Sequence, residues 1–175
     1  NMLLDSWMRQ HLGTDHDSDG LFAASGTVLE PLLADCLADP YFSLAPPKST
    51  GRDRFHIEWL LAKGVAGLRP QDVQATLAEL TARSIAEALA RWCPQTQDAY
   101  VCGGGVHNRD LMQRLASRLA EKGGPVTLAS TESLGIHPDW VEAMAFAWRA
   151  AQAIDHKPGN LPQGTGARGP RVLGA

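Results

Sequence analysis

Val101-Cys102-Gly103-Gly104-Gly105-Val106-His107-Asn108 sets three glycines between a short apolar run and an amphipathic segment, and no other stretch constrains the fold so strongly. Ala99 to Cys102 is short, apolar and β-tolerant, while Leu111, Met112, Leu115 and Leu119 recur at a spacing that keeps one helical face apolar. The order is strand, glycine turn, helix. Asn108 suits the N-cap, where a side-chain oxygen accepts from a backbone N–H, and Asp110 suits the positive end of the first turn. Without a Cβ, glycines let backbone N–H groups approach a ligand closely, and a helix start stabilises an anion by about 0.3–1 kcal/mol. The layout therefore fits a phosphorylated nucleotide. A tight connection whose glycines only permit a sharp bend is the simpler alternative, and the residues alone leave both open. Two familiar phosphate motifs are absent. Asn108 stands where G-x-G-x-x-G requires its third glycine, and no Gly-Lys-Ser/Thr follows, so neither dinucleotide binding nor a P-loop is supported.

The remaining periodicity is mostly helical, with no internal repeat or low-complexity tract. Leu3, Leu4, Trp7 and Met8 share one face of a helix over 2–12 that Gly13 closes, and Leu29, Leu32, Leu33 and Cys36 do the same over 28–37, with an acidic loop between them. Residues 40–54 read as loop, 56–63 as a short helix ended by Gly64, and Pro70 opens a long helix that runs to Trp92 before Pro94. A helix over 108–122, stopped by Gly123 and Gly124, leads to a second strand at 126–129, which implies a parallel crossover. Pro138 starts an apolar helix reaching Ile154. The tail is rich in Gly and Pro, with a marginal third strand at 171–173. The fold class is thus α/β and helix-rich, with a parallel βαβ unit and an incomplete sheet, since α/β domains usually carry about five strands.

In 175 residues a single core is feasible, burying roughly 70% of the surface of the unfolded chain. Sixteen Lys and Arg against nineteen Asp and Glu give a net charge of −3, which with no basic cluster excludes a nucleic-acid partner. No apolar stretch approaches 18 residues and no signal-peptide pattern opens the chain, so the expectation is no membrane and a cytoplasmic protein. Cys36, Cys93 and Cys102 are odd in number and widely spaced, which argues against zinc, redox motifs and disulfides and for three small buried hydrophobes. Asp15-His16-Asp17-Ser18-Asp19-Gly20 opens like a calcium loop, but Gly26 occupies the twelfth position where a bidentate Glu is needed. An acidic turn bonding its own backbone is the better reading. The histidines show neither H-x-x-x-H nor H-E-x-x-H spacing, and no G-x-S-x-G elbow supports hydrolase chemistry. Val73, Leu77, Leu80, Ile85 and Leu89, and the row Trp140, Met144 and Trp148, read as core or as a partner-facing surface, with core preferred.

Three motifs in this order and spacing carry a resemblance: Pro46-Pro47-Lys48-Ser49-Thr50-Gly51-Arg52, Cys102-Gly103-Gly104-Gly105-Val106-His107-Asn108, and Gly135-Ile136-His137-Pro138-Asp139-Trp140-Val141-Glu142-Ala143. Together they resemble the anhydro-N-acetylmuramic acid kinases of bacterial cell-wall recycling, over essentially residues 1–175. The resemblance implies the two-domain superfold of sugar kinases, actin and heat-shock ATPases, with residues 1–175 a C-terminal, nucleotide-side portion of an actin-like, ribonuclease H-like ATPase lobe. It implies ATP and Mg2+ as cofactors, and a reaction that phosphorylates the sugar while water opens the 1,6-anhydro ring. Gly103, Gly104, Gly105 and Asn108 match the adenosine-side turn, and Glu142 matches an acidic residue facing the sugar. Lys48, Ser49, Thr50 and Arg52 sit in a loop that contacts phosphate or the other domain, or is simply a polar loop fixed by its prolines. The family's general base lies in an Asp-Thr-Gly-Pro segment upstream of Asn1, so no catalytic residue is expected here, and the chain alone is expected to be inactive unless the missing N-terminal half is supplied. A homodimer fits the apolar helix faces. Another sugar kinase of the same superfold, or a non-catalytic nucleotide-binding or dimerisation module, are the alternatives.

Overall fold

A computed structural model describes residues 1–51, 53–121 and 126–174. The order is α1 (Met2–Leu12), α2 (Leu21–Ala24), α3 (Glu30–Leu37), α4 (Pro40–Ser43), α5 (Ile57–Leu61), α6 (Pro70–Trp92), β1 (Asp98–Val101), α7 (Arg109–Glu121), β2 (Thr127–Ser130), α8 (Val141–Ile154) and α9 (Pro162–Thr165). Short 3-10 turns at Ser18–Gly20, Gly104–His107, Thr131–Leu134 and Pro138–Trp140 join them. Arg52 and the expected stop at Gly123 and Gly124 lie outside the described residues.

The axis of the fold is α6. Pro70, with its fixed φ and missing N–H, starts the helix where that N–H has no helical acceptor, and Asp72 lies in the positive first turn. From Asp72 to Leu80 every residue of α6 is buried, because α1, α2, α3 and α7 pack around it. A helix enclosed on all sides must find partners for its polar side chains, and Asp72 and Thr76 find theirs at the start of α3, whereas the buried Gln74 Oε1 has none. Asp72 Oδ1 accepts the Thr27 N–H at 2.8 Å, while Thr76 Oγ1 accepts the Leu29 N–H at 2.9 Å and donates to the Asp72 carbonyl at 2.7 Å. The entry of α3 is thus tied to α6 by two side-chain bonds between segments far apart in sequence.

Two apolar clusters flank this axis. The larger gathers Leu3, Leu4 and Trp7 of α1, Leu32, Leu33 and Cys36 of α3, and Val73, Leu77 and Leu80 of α6. The smaller joins Ala82 and Ala86 of α6 to Leu111, Leu115 and Leu119 of α7, with Ala99, Val101 and Leu128 of the strands against it. Strands β1 and β2 pair in parallel with Asp98 opposite Thr127 and Val101 opposite Ser130, as the strand–helix–strand order requires.

Several expectations need correcting. Residues 171–173 form no strand; Gly159 N–H simply donates to the Arg171 carbonyl at 3.0 Å. The acidic loop contains a helix, α2, because Asp17 accepts the N–H groups of Phe22 and Ala23, both at 2.9 Å, and so satisfies donors at its start. That spends the Asp17 carboxylate on backbone, as an acidic turn would. The stretch over 40–54 likewise begins with helix α4, capped by Asp39. Of the three cysteines only Cys36 is buried, and burial pushes its thiol up to about 11, whereas Cys93 and Cys102 are exposed free thiols. Ile85 is 40% exposed, and the row Trp140, Met144 and Trp148 lies on the surface. For that row the reason is that α8 has no buried residue among those described, and a two-stranded sheet offers it no second layer.

Candidate functional site

The glycine turn leaves β1 at Cys102. Gly103 takes φ 74°, ψ −178°, a conformation that L side chains disfavour, and its N–H donates to the Pro138 carbonyl at 2.9 Å. Gly104 to His107 then wind one 3-10 turn, and Asn108 begins α7 in extended conformation with Oδ1 accepting the Leu111 N–H at 2.8 Å. The expected cap is therefore formed. A Cβ placed on Gly103 or Gly104 would meet no heavy atom within 4 Å. Packing thus does not demand glycine at Gly104, and only the positive φ demands it at Gly103; the space above both is open.

The space at Gly104 belongs to a cleft of about 440 Å³ walled by Gly104, Gly105, His107 and Asn108 on one side and by Asn1, Leu4, Asp5 and residues 16–19 on the other. The opposite wall was not read from the sequence as part of a site, because it is more than 80 residues upstream. Its closest approach is at Gly20, where a Cβ would collide with the Asn108 side chain and with Asp110 Cβ. With φ 74° as well, Gly20 is required for two reasons, and the Asp-Gly turn signal at 19–20 was its only trace in the sequence. Arg109 Nε lies 3.5 Å from Asp19 Oδ1 across the same gap.

The other expected residues divide. Glu142 is exposed in the first turn of α8 and is not part of the cleft wall, so it and the glycine turn do not share one cavity. Lys48 is bound to backbone. Its Nζ donates to the Tyr41 and Phe42 carbonyls at 2.9 and 3.0 Å and lies 4.9 Å from the Tyr41 ring centroid, closing the end of α4. Thr50 and Gly51 border a separate, largely apolar cavity of about 420 Å³ with Leu3, Phe42 and Phe55. Sequence reasoning assigned no partners to His107 and Asp139, which stand 32 residues apart, yet His107 Nε2 lies 3.0 Å from Asp139 Oδ1 and 3.2 Å from Oδ2. Among the described residues, no three His, Cys, Asp or Glu side chains converge to hold a metal ion by themselves.

A strand, an open glycine turn and a capped helix beside an acidic wall are features shared by many nucleotide-binding proteins, and comparison with known proteins narrows them. The model of the family "Anhydro-N-acetylmuramic acid kinase" matches residues 1–175. The chain belongs to the anhydro-N-acetylmuramic acid kinase family. Curated relatives bearing that name include one from Xanthomonas campestris pv. campestris (strain 8004), 56% identical over all of this chain and 46% of the relative. Another, from Chromohalobacter salexigens, is 52% identical over 99% of this chain and 47% of the relative, and one from Nitrosomonas europaea is 49% identical over 100% and 47%. The chain spans about half the length of the curated relatives it matches. The helix-rich α/β architecture with an open parallel sheet agrees with the expected class. No helix among the described residues is long and apolar enough to cross a membrane.

Proposed function

We propose that this chain carries the nucleotide-side surface of an anhydro-N-acetylmuramic acid kinase, an enzyme that phosphorylates the anhydro-sugar with ATP while water opens its ring. The observation that carries the reading is the open cleft lined by Gly104, Gly105 and Asn108 in a chain matched by that family along its whole length. The same match favours this kinase over another sugar kinase of the superfold.

The residues fit a nucleotide. In a 3-10 turn the leading N–H groups have no acceptor within the turn, so Gly104 and Gly105 present donors to the cleft that both of them line. Asn108 spends Oδ1 on its own helix and keeps its amide donors for ribose or base. Mg2+, bound mainly by nucleotide phosphates and water, would neutralise their charge, and Asp5 and Asp19 are the wall carboxylates that would hold it with their oxygens. Glu142 takes the sugar side, accepting from hydroxyl or amide groups.

The chain's own residues bind and orient. The base that activates water belongs to the portion of the whole protein outside these residues, so the isolated chain binds nucleotide without turnover. Exposed free Cys93 and Cys102 suit the reducing cytoplasm, where ATP is abundant. Calorimetric titration of the chain with ADP tests the site. Gly104→Val, whose side chain enters open space, should leave the melting temperature within about 2 °C and weaken ADP at least about tenfold, or about 1.4 kcal/mol. Equal affinity in the two proteins, or no binding at millimolar ADP, rejects it.

A further inference from the structure

The glycine turn is fastened at both ends to the same short segment. At its start, Gly103 N–H donates to the Pro138 carbonyl at 2.9 Å; at its end, His107 Nε2 meets both oxygens of Asp139 at 3.0 and 3.2 Å. Pro138 and Asp139 belong to the 3-10 turn that runs directly into α8, and Glu142 is the second residue of that helix. The segment is itself held, since His137 Nδ1 accepts the Asp139 N–H at 3.3 Å. His107 also lines the nucleotide cleft, and it stands directly before the Asn108 cap.

From this geometry we infer that His107 and Asp139 are a positioning pair: they clamp the glycine turn to the start of α8, so that the nucleotide donors and Glu142 are held as one body. The inference rests on the nucleotide reading of the cleft. A backbone bond alone fixes one point and allows the turn to pivot about Gly103, whose neighbours give it room. The second link, four residues on, removes that pivot. With Nε2 donating to the carboxylate, the other ring nitrogen, Nδ1, is left for other partners. Gln at this position has an amide donor at similar reach, whereas Ala has none.

Two readouts on the full chain test the clamp. In ADP titrations, His107→Ala and Asp139→Ala should each lower affinity about three- to tenfold, the double variant should be no worse than either single, and His107→Gln should stay within about twofold of wild type. In amide hydrogen exchange without nucleotide, Asp139→Ala should speed exchange at Gly103 about tenfold while amides of α6 are unchanged. Additive losses in affinity, or an unaltered Gly103 amide, overturn the clamp. If wild type binds no ADP but the exchange arm responds, the nucleotide assignment fails and the clamp stands.

Discussion

Asp39 shows how much one side chain organises. Its carboxylate accepts from the Tyr41 N–H at 2.9 Å, from Arg54 Nη2 at 2.6 Å and from Trp59 Nε1 at 3.1 Å, and so pins α4, the loop after it and α5 around one point. Tyr41, Phe42, Phe55 and Trp59 form a ring cluster there, with Phe55 in edge contact with Tyr41 at 5.4 Å and with Trp59 at 5.1 Å. Burial alone would raise the Asp39 pKa; the bonds from Tyr41, Arg54 and Trp59 outweigh it and hold the carboxyl below its ordinary value. A carboxyl with a lowered folded pKa contributes stability that is full above its unfolded value near 3.9 and is lost as pH falls through the folded one. Asp39→Asn should therefore cost about 1–2 kcal/mol at pH 7, the scale of bonds to a charged acceptor, with a gap to wild type that narrows below about pH 4. Urea midpoints at several pH values check this, and a gap independent of pH would show that Asp39 acts only by shape. The same residues bear on the two readings of Lys48: a lysine in a Pro-Pro-Lys-Ser-Thr loop is equally able to bind phosphate or carbonyls. The two carbonyls that claim it belong to a helix that the loop-like composition of 40–54 concealed.

At the scale of elements, α6 and α7 carry the largest helix contact, and a charge cluster sits within it. Glu79 is 2% exposed, with Arg118 Nε at 2.5 Å, Arg114 Nη1 at 3.4 Å and Arg83 Nε at 3.6 Å. Arg114 and Arg118 are one turn apart on α7, so both reach the same carboxylate, and Asp110 and Glu121 hold their other sides. Glu79→Ala would leave three guanidiniums around an empty site. Because the arginines keep some access to water, the expected loss is about 3 kcal/mol, the low end for a broken buried pair, read as a shift of the urea midpoint. A loss below about 1 kcal/mol would mean that the arginines reach solvent freely. Periodicity revealed α6 and α7 but not this tie. Apolar spacing marks a stripe, and Glu79 lies off the Val73–Leu77–Leu80 stripe, on a side that α7 covers only in three dimensions. The boundaries of α1, α6 and α7 were legible because Gly13, Pro70 and Asn108 are strong local signals. Strand pairing was legible too, whereas the cleft's far wall and the Asp139 partner of His107 were not, since nothing local encodes a contact between distant segments.

For the whole molecule, the decisive quantity is the width of the sheet. Two helices lying side by side cover about 20 Å, whereas two strands about 4.8 Å apart cover less than half of that. Beneath the strands a largely apolar cavity of about 410 Å³, bordered by Leu89, Leu115 and Leu128, shows the second cluster incompletely filled. Beyond it, α8 is fourteen residues long with Glu142, Arg149 and Gln152 its only polar side chains, a composition that belongs to a helix covered on most sides. Instead Met144, Phe146, Trp148 and Ile154 are 50%, 59%, 53% and 79% exposed, and Trp140 just before them 65%. Of the two readings of the Trp140, Met144 and Trp148 row, core or partner-facing surface, this exposure fits the second. Apolar area of this kind in water drives association, so the isolated chain should form dimers or larger species at tens of micromolar in sedimentation velocity. Trp148→Glu combined with Met144→Lys should return it to monomer while changing the urea midpoint by less than about 0.5 kcal/mol, because neither side chain supports the two clusters. If the double variant associates as strongly as wild type, the contact lies elsewhere, and the open edges of the β1–β2 sheet become the surface responsible.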